Sequence, residues 1–254
     1  MKRIFVAAIL ALCAMVLIVS PLFAEEYQWD GVGAFEGDIN STGAVGKNGA
    51  AASANVIASQ IAVDILEKGG NAVDAAVAMI YAVGLLEPAA SGIGGAGQMV
   101  IYLADRDEYV QLEYMTRAPE AAIPGTLDTS TSGNPPSAEA IAIPGVVHGT
   151  MTALETYGTM SAREVLQPVI DLARNGFPVT QRWNTNIEGR YDNLSYYDYS
   201  LGLYTDEGFL WNVGDIITNN DLADTLEVIA DQGIKGFYDS EFTDKMVDYI
   251  QSQG

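Results

Sequence analysis

The sequence predicts a layered α+β domain, and three features point there. Two early stretches are helical and apolar, a β-rich hairpin follows a glycine bend, and helices resume after it. That order argues for a mixed layered domain rather than a regular βαβ alternation. One large domain, or most of one, fits the 254 residues.

Residues 56–68 place Ile57, Ile61, Ala62, Ile65 and Leu66 on one stripe, the spacing of an amphipathic helix. Gly69 and Gly70 then supply a left-handed cap. Asn71 caps a second helix over 72–86, apolar nearly all round except at Asp74 and Tyr81, which marks it as buried on every side. Glu87 and Pro88 stop it. The glycine-rich residues 91–97 allow two backbones to approach closely. Residues 98–103 and 109–114 are β-rich runs on either side of a polar turn, and read as a hairpin.

A Pro/Gly/Ser/Thr loop spans 119–136, followed by a short apolar segment at 138–143 and a turn at Pro144 and Gly145. Ser161 and Glu164 form a capping box ahead of a helix over 165–174, which Pro168 is expected to kink or delay by removing an N–H donor. Asn175 and Gly176 close it. Residues 180–214 are rich in tyrosine and asparagine and read as irregular; two more helices follow at 221–232 and 241–251.

The N-terminus has the layout of a secretory leader: Lys2 and Arg3, an apolar run from Ile4, then Pro21 and the small Ala24. Its apolar run borders on membrane-span length, so an uncut anchor is the alternative and the only route to a membrane. The expected organisation is a signal peptide at 1–24, a poorly structured lead-in at 25–49 and the folded part at 50–254. Export would place the protein in the periplasm or outside the cell.

The single cysteine, Cys13, lies inside the leader. A mature chain without a thiol excludes disulfides, iron–sulfur clusters, Cys-ligated zinc and cysteine nucleophiles. The chain carries 33 acidic and 12 basic residues, a net charge of −21 that loss of Lys2 and Arg3 deepens by two. Nucleic acid and anionic lipid are not expected partners of such a surface. The carboxylates are scattered through an apolar-rich sequence, which suits a solvated acidic surface and argues against disorder.

Residues 92–97 match G-x-G-x-x-G, the dinucleotide fingerprint, but the context is reversed. That fingerprint needs a strand before and a helix after, so that the helix N-terminus meets the pyrophosphate. Here a helix precedes and a strand follows. His148 is the only histidine, which removes multi-histidine metal sites; packing is its favoured role, since no G-x-S-x-G elbow occurs. Asp74 is expected to be a structural acceptor for N–H groups of the adjacent glycine loop. Arg117, just after the hairpin, is either a carboxylate clamp or an ordinary surface cation.

Several segments taken together resemble the γ-glutamyltransferases (γ-glutamyltranspeptidases): residues 65–78, Glu87 and Pro88, then 91–97, 142–149, 157–159, 173–179, 221–226 and 236–238, in that order. The resemblance covers essentially everything after about Gly43. It implies an N-terminal-nucleophile hydrolase, an αββα sandwich made as a precursor that cuts itself into large and small subunits. The small subunit's new N-terminal threonine is then the nucleophile, its α-amine the base, and an oxyanion hole holds the intermediate. Its acyl donors are small γ-glutamyl amides such as glutathione, and no cofactor or metal is implied.

On this resemblance the chain is part of a large subunit, incomplete as a sandwich, whose partner is the small subunit of the same precursor. No catalytic residue lies in it. The family holds the donor's α-carboxylate with an arginine in an Arg-Glu-x-Ala-Pro pattern; anchoring on Ala118 and Pro119 puts Met115 where that arginine belongs and Thr116 where the glutamate belongs. Arg117 shares Met115's side of an extended strand and is the substitute candidate for substrate binding. Failing that, the donor differs, as in acylase-like relatives. Two further alternatives are a truncated, non-catalytic binding or partner protein and, from the glycine loop alone, a secreted nucleotide binder.

Overall fold

A computed structural model describes residues 46–120, 122–123, 125 and 138–253. The expected leader with Cys13, the lead-in up to residue 45 and most of the 119–136 loop lie outside the described residues. No helix among the described residues is long and apolar enough to cross a membrane.

Helix α1 (Val56–Glu67) starts where the Asn55 side chain accepts the Ile57 N–H, and it buries Ala58, Ile61, Ala62 and Ile65. Gly70 donates back to Ile65 O at 3.0 Å, closing it as the two glycines lead one to expect. Helix α2 (Ala72–Leu86) is the central element. Its Asn71 cap is reciprocal: the Asn71 side chain takes the Val73 and Asp74 N–H groups, while Asp74 takes the Asn71 N–H. Small residues, Ala75, Ala78 and Ala82, let it sit between α1 and the later helices α3 (Val146–Tyr157) and α4 (Ala162–Asn175).

Strands β1 (Gly97–Leu103) and β2 (Glu108–Tyr114) pair antiparallel, with Gly97 opposite Tyr114 and Leu103 opposite Glu108. The pleat alternates: Met99, Ile101 and Tyr114 point into the core, where α3 packs on β2, while Val100, Tyr102 and Tyr109 are exposed. Among the described residues, helices therefore cover one face of the hairpin and no second sheet covers the other. Beyond it, β3 (Phe177–Pro178) and β4 (Ile216–Ile217) form a two-residue pairing that carries Phe177 and Ile217 into the core.

Two expectations change, and two short elements are added. Pro168 does not interrupt α4, which runs unbroken from Ala162 to Asn175. The proline forfeits one N–H, whereas Val165, Leu166, Val169, Ile170 and Ala173 are all buried on that helix, and their burial, at about 1.5–3 kcal/mol for each larger side chain, outweighs it. The stretch read as irregular contains α5 (Gln181–Glu188), α6 (Tyr191–Leu194) and α7 (Asp198–Tyr204). Of these, α5 buries Trp183, Asn184 and Ile187; the other two bury none, so they carry no periodic apolar signal. Residues 138–140 form a single 3-10 turn. Lastly, a short helix α9 (Ile234–Tyr238) sits between α8 (Asn220–Gln232) and α10 (Glu241–Ser252), placing Phe237 in the core.

Helices α4 and α8 pack along a seam edged by ion pairs. Arg174 reaches Asp224 at 2.6 Å and Glu227 at 2.8 Å, and Arg163 pairs with Asp231. These groups are part-exposed, so each pair contributes little. The repulsion among the surplus carboxylates is the larger electrostatic effect, and salt screens it. Raising sodium chloride to about 1 M is expected to stabilise the fold by about 1–2 kcal/mol, which is roughly 2–8 °C in Tm. Scanning calorimetry at low and high salt checks it; a Tm that falls with salt would mean the pairs dominate.

Candidate functional site

The C-terminal half of α2 presents Ile80, Tyr81, Gly84 and Leu85 to one side, and the glycine loop folds back against it. Gly84 makes this possible: a Cβ there would lie 3.0 Å from the Cα of Gly92. The two backbones approach closely, as the composition of the loop leads one to expect. The loop is tied at both ends. At its start the carboxylate of Glu87, 3 % exposed, receives Arg182 Nε of α5 at 2.9 Å. At its end the Gly95 carbonyl accepts the N–H groups of Gly145 at 2.9 Å and Val146 at 3.2 Å, at the N-terminus of α3.

Between the loop, α2, α7, α8 and α10 lies an open cleft of about 840 Å³. Its walls are mostly apolar, with Leu85, Ile93, Leu203, Leu226 and Phe242 among them, and Tyr114 closes one side. That volume is within the range of small-molecule pockets, about 300–1,000 Å³. Among the described residues the one charged side chain lining it is Asp221, which accepts the Tyr199 hydroxyl at 2.6 Å. Loss of solvent around that hydroxyl, with the Asp221 carboxylate beside it, pushes the Tyr199 pKa up to about 12. Tyr199 thus stays protonated and donating through the neutral range.

Tyr81, inside the wall, shares a hydrogen bond of 2.9 Å with the Thr150 hydroxyl, which itself donates to Val146 O. Burial raises the Tyr81 pKa well above the ordinary tyrosine value, the Thr150 bond opposing it in part. Among the described residues, the lining of the cleft has no cation, no cysteine and no histidine. Nor do the described residues contain a cluster of three acidic, histidine or cysteine side chains able to hold a metal. It is a shaped, largely apolar wall, without a nucleophile–base pair of its own.

The sequence candidates scatter around this cleft. Met115, Thr116 and Arg117 follow Tyr114 out of it and are all exposed. Arg117 exchanges backbone hydrogen bonds with Ile143, at 3.1 and 2.8 Å, and its guanidinium has no hydrogen bond or ion pair with another described residue. His148 was expected to pack; instead it is exposed on the first turn of α3, its ring meeting that of Tyr238 edge-on at 6.3 Å. Asp74 is the structural acceptor it was expected to be, with different donors: Asn71, Thr159 and Met160 supply them, and the glycine loop supplies none. Tyr114, Tyr199 and Asp221 were not singled out by sequence reasoning. Only the end-of-strand position of Tyr114, opposite a glycine, offered a local signal.

The glycine loop is preceded by α2 and followed by β1, so the dinucleotide geometry of strand, loop and helix is absent. A family model described as gamma-glutamyltranspeptidase matches residues 58–254. The chain is 35 % identical over 216 residues to the glutathione hydrolase proenzyme of Bacillus subtilis (strain 168), covering 83 % of this chain and 37 % of that protein. It is 32 % identical over 222 residues to the acylase ACY 1 proenzyme of Pseudomonas sp. (strain V22), covering 83 % and 40 %. The crystal structure of Helicobacter pylori gamma-glutamyltranspeptidase superposes with a TM-score of 0.77 at 33 % identity, over 83 % of this chain and 62 % of that one. The chain thus spans a little over a third of the length of these curated relatives.

Proposed function

The chain belongs to the gamma-glutamyltranspeptidase family, and from that premise we propose that it is the N-terminal portion of the large subunit of an exported, self-processing γ-glutamyl transferase or hydrolase. Its fold is the large-subunit portion of an N-terminal-nucleophile hydrolase. The observation that carries the reading is the glycine loop clasped between α2 and α3, with Tyr114 beside it, at a cleft whose described residues include no nucleophile–base pair. Such a surface supplies shape; reactivity is supplied by the N-terminal threonine of the small subunit.

In the proposed reaction that threonine attacks the γ-glutamyl amide, its own α-amine taking the hydroxyl proton and returning it to the leaving amine. Water or an amino acid then accepts the acyl group. This chain's part is to exclude water along the apolar wall and to hold the donor's charged end near residues 115–117. Arg117 is the proposed contact for the α-carboxylate, because Met115 cannot pair with it and no cation lines the cleft among the described residues. The leader composition of residues 1–24 supports export, with a membrane association only if the leader stays uncut.

A second reading, an acylase with another acyl donor, is favoured by Met115 itself and by the similarity to an acylase proenzyme. Both readings share the processing step. Mass spectrometry of the full-length product that carries this chain is expected to find two subunits, the smaller starting at threonine. The processed protein is expected to release p-nitroaniline from γ-glutamyl-p-nitroanilide. Processing without release supports the acylase; a single uncut chain without release defeats both.

A further inference from the structure

Tyr114 is held by glycines from three directions. A Cβ on Gly149, in α3, would stand 2.2 Å from its Cγ, and one on Gly97, across the hairpin, 2.5 Å from its Cε2. A Cβ on Gly145 would stand 2.1 Å from the Tyr114 carbonyl oxygen and 2.9 Å from that of Met115. Gly145 has φ −108° and ψ −21°, which any residue adopts, and neither Gly97 nor Gly149 has positive φ. At these positions glycine is required by space and not by torsion. The space is reserved for one ring and the backbone that leaves it.

The same junction joins the parts of the site. Gly145 N–H bonds to Gly95 O of the glycine loop, and two residues earlier Ile143 is bridged to Arg117. Loop, strand end and the entry to α3 therefore lie side by side, with Gly145 between the first two and Tyr114 pinned against it. Residues 115–117 extend from Tyr114 over a chain length of about 10 Å. Arg117 is the cation among them, and among the described residues lining the cleft the one charged side chain is Asp221.

We propose that Tyr114 is a positioning residue: its glycine seat sets where residues 115–117 leave the cleft, and so where an anionic acyl donor is met. The proposal rests on the acyl-transfer reading of the cleft for its substrate and on the geometry alone for its mechanics. Displacing the ring moves the strand end, because the carbonyl of Tyr114 cannot retreat into Gly145. The ring's hydroxyl is not needed for this, only its bulk.

Gly149→Ala tests it. In the full chain, hydrogen exchange at the Arg117 and Ile143 amides is expected to quicken at least tenfold, while the Thr159 and Met160 amides, bound to Asp74 elsewhere, keep their rates. In the processed enzyme, KM for γ-glutamyl-p-nitroanilide is expected to rise at least fivefold with kcat within twofold. Val100→Ala, on the exposed face of the hairpin, is expected to leave both readouts unchanged. Gly97→Ala, whose Cβ meets only the far end of the ring, gives the same pattern more weakly and serves if Gly149→Ala does not fold. Unchanged exchange at Arg117 and Ile143, or exchange that quickens with KM unmoved, overturns the proposal. A wild type that turns over no donor would defeat the functional reading instead, and the exchange data would still decide the positioning.

Discussion

Asparagine in place of Asp74 is expected to destabilise the fold by about 3 kcal/mol, nearly as much as alanine. The carboxylate has no exposed surface, and it collects the Asn71 N–H at 2.8 Å, the Thr159 hydroxyl at 2.7 Å, the Thr159 N–H at 3.1 Å and the Met160 N–H at 3.2 Å. Both oxygens are used, and the three backbone partners can only donate. Asparagine keeps one acceptor and turns the other into an N–H pair aimed at N–H groups, so the isosteric change does not preserve the bonds. Alanine strands four donors at the join between α2 and the turn before α4. Gly158 permits the wrap, since a Cβ there would meet Asp74 Oδ1 at 2.6 Å. Urea titration monitored by circular dichroism measures the change as a shift of midpoint at constant slope. A loss below about 1 kcal/mol for the asparagine variant would mean that the turn re-pairs its donors with water.

What could be read from the residues depended on how local its cause was. The limits of α1 and α2, the two strands of the hairpin and the capping box of α4 all follow from spacing, caps and glycines within a few residues, and they match the structure closely. The αββα architecture came through resemblance, and the described residues display one helical layer on one hairpin face. Helices α6 and α7 were hidden because they bury nothing, so no apolar period marks them, and α5 buries only two apolar side chains, Trp183 and Ile187, too few to set one. The Thr159 donors to Asp74 lie 85 positions away along the chain, and spacing arguments do not reach that far. Most of the Tyr114 seat was hidden for the same reason: two of its three glycine neighbours, Gly145 and Gly149, belong to a segment well beyond the hairpin. His148 failed differently, since an apolar neighbour in sequence says little about which side of a helix faces water.

The substitution Met115→Arg is expected to lower KM for a γ-glutamyl donor by about tenfold, leaving kcat within about twofold. A charge-assisted bond to a carboxylate is worth about 1.5–3 kcal/mol, and each 1.4 kcal/mol is a factor of ten in affinity. Met115 is 50 % exposed, so solvent screening places the gain at the lower end. The pairing exists before and during the reaction, which is why it acts on KM and spares kcat. Arg117→Ala is expected to act in the opposite sense in the natural background and to have little effect once Met115→Arg is in place, because the two guanidiniums then serve one carboxylate. Raising salt should shrink the benefit, as the new charge also relieves an acidic surface that repels an anionic donor. Steady-state kinetics of wild type, the two single variants and the double variant with γ-glutamyl-p-nitroanilide, and with an analogue lacking the α-carboxylate, separates these effects. If Met115→Arg improved both donors equally, its action would be general steering; if it improved neither, position 115 would lie away from the donor and the acylase reading would gain.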